Sequence, residues 1–259
     1  MDLYHEVHDG GCGPHMLMVH GFLSSRAQWR PNLARLMTVC RPVLVELLGH
    51  GRSAAPVAPE AYAVERYIER FEELRRSLGI ERWMICGQSF GAGLVIQYAL
   101  QHPDRVMGLV VTNSISAFTP KGDPERDAAQ AERARAIAEG GMHALRELRI
   151  HPRHAKRFPE DIKHELVADA ERLAPEGILR SIAMTSPSLS VAHRLGDLKV
   201  PTLLVNGTWE KRFQPLREHA AITIPGVTVV DLPAGHSVNI EASEGFDEAV
   251  CALIAKVSG

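Results

Sequence analysis

Apolar residues along this chain fall into two kinds of pattern. Short, mainly apolar runs stand at 16–19, 43–47, 82–86, 106–111, 200–205 and 227–232. Runs this brief, bounded by glycine, proline or polar clusters, predict strands buried on both faces. Residues 3–8 read as an opening strand, closed by the turn Gly10-Gly11-Cys12-Gly13-Pro14. Between the runs, apolar positions recur at helical spacing. The strongest period covers 64–78, with Val64, Tyr67, Ile68, Phe71, Leu74 and Leu78 on one face. Similar stripes cover 26–38, 92–100, 215–222 and 241–256. Strands alternating with amphipathic helices predict an α/β fold, a mostly parallel central sheet flanked by helices.

Residues 118–195 interrupt that alternation. They carry no strand run and read as helices at about 124–139, 141–149, 159–172 and 175–184, punctuated by Pro120, Pro152, Pro159, Pro175 and Pro187. The expected organisation is a core made of 1–117 and 196–259 with a helical cap, 118–195, inserted above the strand ends. Ligands of such sheets gather where strands end at their carboxyl termini. His20-Gly21, Gly49-His50-Gly51, Ser89, Glu210 and His236 all follow a predicted strand.

Composition narrows the class of protein without naming its chemistry. The chain has 259 residues, 45% hydrophobic and 23% charged, with a net charge of −2. That composition suits one large soluble domain and gives no global bias toward nucleic acid or a membrane. No basic-then-apolar segment opens the N-terminus, so no secretion signal is expected. The four cysteines lack metal-ligand spacing, and a reducing cytoplasm is the simplest compartment. No metal or cofactor is expected, and a monomer or homodimer fits equally.

Candidate chemistry centres on Gly87-Gln88-Ser89-Phe90-Gly91. A serine between a strand end and a helix start, with glycine two residues to each side, is the nucleophile elbow pattern. Alone, the pentapeptide is equally a glycine-rich turn. A serine nucleophile needs a base and an acid in the order Ser, acid, His. His236 follows the last predicted strand and suits the base. Glu210, after the 200–205 run, suits the acid, with Asp197 and Asp231 as alternatives in poorer positions. Oxyanion donors are expected from the backbone N–H of Phe90 and of Phe22, with Gly21 admitting close approach of the substrate.

Four segments occur in order at strand ends: His20-Gly21-Phe22, Gly49-His50-Gly51-Arg52-Ser53, the Ser89 pentapeptide and Gly235-His236. Together they resemble the α/β-hydrolase superfamily over the whole chain. The resemblance implies a Ser89-Glu210-His236 triad and a cap at 118–195, with Glu standing where Asp is usual. It implies hydrolysis of a carboxylic ester or thioester. Relatives that cleave C–C bonds, or that eliminate with the serine and histidine as a base in menaquinone biosynthesis, form the alternative, with an anionic substrate. A binding protein on the same fold is a third class, one that need not keep all three residues.

One local feature bears on the substrate, expected to be a small molecule. Arg146, Arg149, Arg153, Lys156 and Arg157 cluster with three histidines around a single acid, Glu147. A solvated helix face accounts for such a run. Recognition of a carboxylate or phosphate through Arg146, Arg149 and Arg153 accounts for it too. Phe118, Ile150, Phe158 and Met184 are candidates for an apolar pocket or for cap core.

Overall fold

The computed structural model of the protein describes residues 3–258. Met1, Asp2 and Gly259, and with them the start of the segment read above for a secretion signal, lie outside the described residues. Seven strands, β1 (His5–Val7), β2 (His15–Val19), β3 (Arg41–Val45), β4 (Trp83–Gly87), β5 (Val106–Thr112), β6 (Thr202–Gly207) and β7 (Thr228–Leu232), form one sheet. Their order is β1-β3-β2-β4-β5-β6-β7. All pairings are parallel except that of the edge strand β1 with β3.

Alternate residues of each strand feed two cores. Leu17, Val19, Val45, Ile85, Val111 and Leu204 pack on one face, with Tyr67 and Phe71 of the helix α2 (below). Met16, Met18, Met84, Cys86, Val110 and Val205 pack on the other, with Phe246, Val250 and Ile254 near the C-terminus. Burial on both faces is why these strands read as continuous apolar runs. Each such side chain contributes roughly 1.5–3 kcal/mol on leaving water. The third strand ends at Val45 rather than Leu47 because the Leu47 N–H leaves the ladder and donates to His20 Nε2 at 3.0 Å.

The helices are α1 (Arg30–Leu36), α2 (Val64–Ser77), α3 (Phe90–Gln101), α4 (Ile115–Phe118), α5 (Pro124–Glu147), α6 (Glu160–Ala170), α7 (Pro175–Arg180), α8 (Gln214–Thr223), α9 (Val238–Glu241) and α10 (Ser243–Ser258). The stripe at 26–38 divides into a 3₁₀ turn, Arg26–Trp29, and α1, which carries Pro31 in its first turn. The stripe at 241–256 is broken at Ala242, which separates α9 from α10. Gly141, at φ 52°, divides α5 into the two helical segments that the sequence separates at 139–141.

Between β5 and β6 the chain is helical, as α4 to α7 and short turns. Helix α6 is fastened to the loop after β2. Ser25 Oγ donates to Asp169 Oδ2 at 2.7 Å, and Arg26 reaches Asp169 and Glu165 within 3.5 Å. The inserted helices are therefore tied to the loop that carries Phe22. Among the described residues, no helix is long and apolar enough to cross a membrane.

Candidate active site

Ser89 joins β4 to α3 with φ 53° and ψ −110°. A β-carbon in the left-handed region is strained, and such strain persists only where the surroundings over-determine it. Gly91 supplies part of that constraint. A β-carbon there would lie 2.3 Å from the Val19 carbonyl oxygen, so only glycine lets α3 approach β2 this closely. Ser114 Oγ adds a hydrogen bond to the Ser89 carbonyl at 2.6 Å. Gln88 Nε2 donates to the His236 carbonyl at 3.2 Å, which ties the elbow to the loop after β7.

His236 and Glu210 meet across the ends of β6 and β7. Glu210 Oε2 and Oε1 lie 2.9 and 3.0 Å from His236 Nδ1. The contact makes Nδ1 the protonated nitrogen and leaves Nε2 as the free acceptor of a neutral imidazole. Enclosure favours the uncharged ring, but the hydrogen bond and charge of Glu210 outweigh it and hold His236 above its ordinary value. Desolvation opposes ionisation of Glu210. His236 and Asn113 reverse that, and the carboxylate titrates below the usual range.

Asn113 was legible only as a polar residue at the end of β5. Its Nδ2 donates to Glu210 Oε2 at 2.8 Å and to the Gly207 carbonyl at 3.1 Å, while its Oδ1 accepts from Gly207 N at 2.9 Å. One buried amide thus fixes the Glu210 loop in place. The alternative acids do not approach His236. Asp231 is taken by Arg217 and Asn206, and Asp197 by Arg194.

The loop after β2 is shaped by two histidines. His20 Nε2 accepts from Leu47 N, and its Nδ1–H donates to the Gly21 carbonyl at 2.7 Å. His50 Nε2 accepts from Leu23 N at 3.2 Å, and its Nδ1–H donates to the Leu48 carbonyl at 3.0 Å. Burial holds both rings neutral, pushing His20 down to about 3 and His50 to about 4. Leu23, at φ 58°, is strained like Ser89, and these two are the non-glycine residues with positive φ among the described residues. The N–H groups of Phe22 and Phe90 donate to no acceptor among the described residues. A β-carbon at Gly21 would sit 2.0 Å from Gln88 Oε1 and 3.4 Å from Ser89 Cβ, so the glycine also makes room for the elbow.

Ser89, Glu210, His236, Phe22 and Phe90 line one cavity of about 680 Å³, together with residues of α5 and of the segment after it. Of the three cap arginines named from the sequence, Arg149 lines this cavity. Arg146 and Arg153 stand at the surface, paired with Glu171 and Glu147. Ile150 and Phe158 line the cavity, whereas Phe118 is buried against Phe213 and Met184 packs on the same core. Arg157 spans from the inserted helices to the loops below. It pairs with Glu241, whose Oε2 also accepts from Gly235 N at 2.9 Å, and lies 5.3 Å above the Trp209 ring.

A family model described as the alpha/beta hydrolase fold matches residues 14–161. The chain belongs to this family. A Bacillus subtilis protein assigned as a 2-succinyl-6-hydroxy-2,4-cyclohexadiene-1-carboxylate synthase is 24% identical over 93% of this chain and 90% of its own length. A carboxylesterase of the same organism is 26% identical over 93% of this chain and 80% of its own length. The crystal structure of an enol-lactonase from Burkholderia xenovorans shares the fold, with a TM-score of 0.82 and 24% identity over 98% of this chain and 96% of that one. Esterase and hydrolase relatives support an enzyme of the alpha/beta hydrolase fold.

Proposed function

We propose that the protein is a serine hydrolase that cleaves a carboxylic ester or thioester through an acyl-enzyme. Ser89 is the nucleophile, His236 the base and Glu210 the carboxylate that orients it. The reading is carried by the grip of Glu210 on His236 Nδ1, which leaves Nε2 as the free acceptor of a ring that lines the same cavity as Ser89. Residues 118–195 act as the cap over this cavity.

The chemistry follows from the geometry. His236 Nε2 takes the Ser89 hydroxyl proton as Oγ bonds to the substrate carbonyl carbon. The carbonyl oxygen becomes an oxyanion, and the free N–H groups of Phe22 and Phe90 stabilise it. Collapse breaks the bond to the leaving oxygen or sulfur, which takes the proton back from His236. Water then repeats the sequence on the acyl-enzyme, with His236 again as base. It releases a carboxylic acid and restores the Ser89 hydroxyl.

A second reading, C–C cleavage or elimination with Ser89 and His236 as a base, is favoured by the likeness to the B. subtilis synthase. Pre-steady-state kinetics with p-nitrophenyl esters separate the two. Acyl transfer gives a stoichiometric burst of nitrophenol that Ser89→Ala abolishes. Turnover of an ester that is unchanged in Ser89→Ala would sink the hydrolase reading.

A further inference from the structure

The cavity that Ser89 lines carries more cationic than anionic side chains. Arg126, Arg133, Arg149, Lys156, Arg157 and Arg212 line it, against Glu125, Glu210 and Glu241. Two of those acids are taken, Glu210 by His236 and Asn113, and Glu241 by Arg157 and Gly235. Glu125 is exposed in the first turn of α5.

Arg126, Gln130 and Arg133 lie at i, i+4 and i+7 along α5, so they share one helix face, and all three line the cavity. Their hydrogen bonding is incomplete. Arg126 gives its two amino groups to the carbonyls of Ser116 and Ser186 at 3.2 and 2.8 Å, but its buried Nε has no acceptor. Arg133 is half-buried and pairs with no carboxylate or carbonyl among the described residues. His151, which also lines the cavity, is 2% exposed. Its Nδ1 accepts from Arg153 N, so its Nε2 carries the proton, and that N–H is also unpaired.

Elsewhere the protein satisfies its enclosed arginines. Arg75 has Glu72, and Arg26 has Glu6, Glu165 and Asp169. Buried donors without partners are costly, and at the wall of a cavity a bound ligand can supply the missing acceptor. Every unpaired polar group named around this cavity is a donor, so the missing partner is an acceptor of negative charge.

We propose that α5 forms an anion subsite in which Arg133 holds a carboxylate of the substrate, remote from the carbonyl that Ser89 attacks. The inference rests on the hydrolase reading and narrows it to esters, thioesters or lactones that bear a free carboxylate. A planar carboxylate suits the half-buried, uncommitted guanidinium fork of Arg133, because both oxygens meet parallel N–H groups. The Arg126 side chain already gives one N–H of each amino group to a backbone carbonyl, and it contributes charge rather than a second fork. The subsite lies on the N-terminal half of α5, apart from Arg146 in the last turn of that helix and Arg153 beyond it.

The test compares the p-nitrophenyl monoester of glutaric acid with its neutral methyl-capped diester, in wild type, Arg133→Met and Arg146→Ala. Wild type should prefer the carboxylate ester in kcat/KM by about 10- to 100-fold, the worth of a charge-assisted hydrogen bond. In Arg133→Met that ratio should collapse toward one, and in Arg146→Ala it should stay. A wild-type ratio near one, or a ratio unmoved by Arg133→Met in a variant that melts like wild type, overturns the subsite. Calorimetric titration with glutarate and with inorganic phosphate tests it without turnover. Saturable glutarate binding lost in Arg133→Met supports the subsite even if neither ester is cleaved, in which case the hydrolase reading alone fails. Absence of glutarate binding, or tighter binding of phosphate, overturns the carboxylate assignment.

Discussion

Protonation of His50 should unlock the loop that carries Phe22, and substitution by glutamine should remove that sensitivity. His50 is fully buried and accepts the Leu23 N–H, and its ring centroid lies 5.1 Å from that of His20. Its neutral form persists down to about 4, against 6.5 for an ordinary imidazole. A group with a depressed folded value contributes stability that is complete above the unfolded value and lost as pH falls. The unfolded chain takes up a proton near 6.5 while the folded protein refuses it. Each pH unit between 6.5 and about 4 therefore costs about 1.4 kcal/mol, or about 3 kcal/mol over the interval. That is a large share of the roughly 5–15 kcal/mol that holds a domain together. In His50→Gln the amide oxygen accepts from Leu23 N and the amide nitrogen donates to the Leu48 carbonyl, with nothing to titrate. Urea unfolding, followed by tryptophan fluorescence at about pH 7 and about pH 4.5, gives the loss for each protein. The wild type should lose about 2.5 kcal/mol more than His50→Gln between those two points. Equal losses would refute the neutral-strut role, whatever the absolute stability of the variant.

Two further substitutions probe the machinery around His236. Glu210→Gln should lower kcat about 10³- to 10⁴-fold, since an amide favours the wrong imidazole tautomer. It should also move the acid limb of kcat/KM to lower pH, because Glu210 is what raises His236 and only the neutral ring accepts a proton. An acid limb that stays in place on a measured pH–rate profile would reassign the orienting role. Asn113→Ala should cost about 1–3 kcal/mol in thermal or urea unfolding, the penalty of leaving the Gly207 N–H unpaired. Its kcat should fall as Glu210 loses a donor, and an unchanged kcat would limit Asn113 to a structural part.

The sheet was readable because its strands are buried on both faces. Met16 to Val19 and Val106 to Val111 carry no polar residue to obscure the run. The sites at strand ends followed from order along the chain, since each strand of a parallel sheet delivers its next residue to the same edge. Four things were not readable. The roles of His20 and His50 depend on which backbone N–H each ring meets, and Leu47 and Leu23 lie 27 residues away from them. Asn113 carries no signature apart from its place after β5. The basic patch at 146–157 drew attention by density, yet Arg146 and Arg153 spend their charge on neighbouring acids. Arg126 and Arg133 stand a helical seven apart among the acids of α5, and only the packing of that helix over the cavity gives them weight.

The central claim is that Ser89 becomes covalently acylated. Intact-mass spectrometry after mixing with an activated ester and acid quench measures this directly, alongside labelling by a fluorophosphonate. Wild type should gain one acyl mass, mapped to the peptide containing Ser89, and Ser89→Ala should gain none. Turnover of the same ester by wild type with no mass gain, or with the label on another residue, would contradict the account.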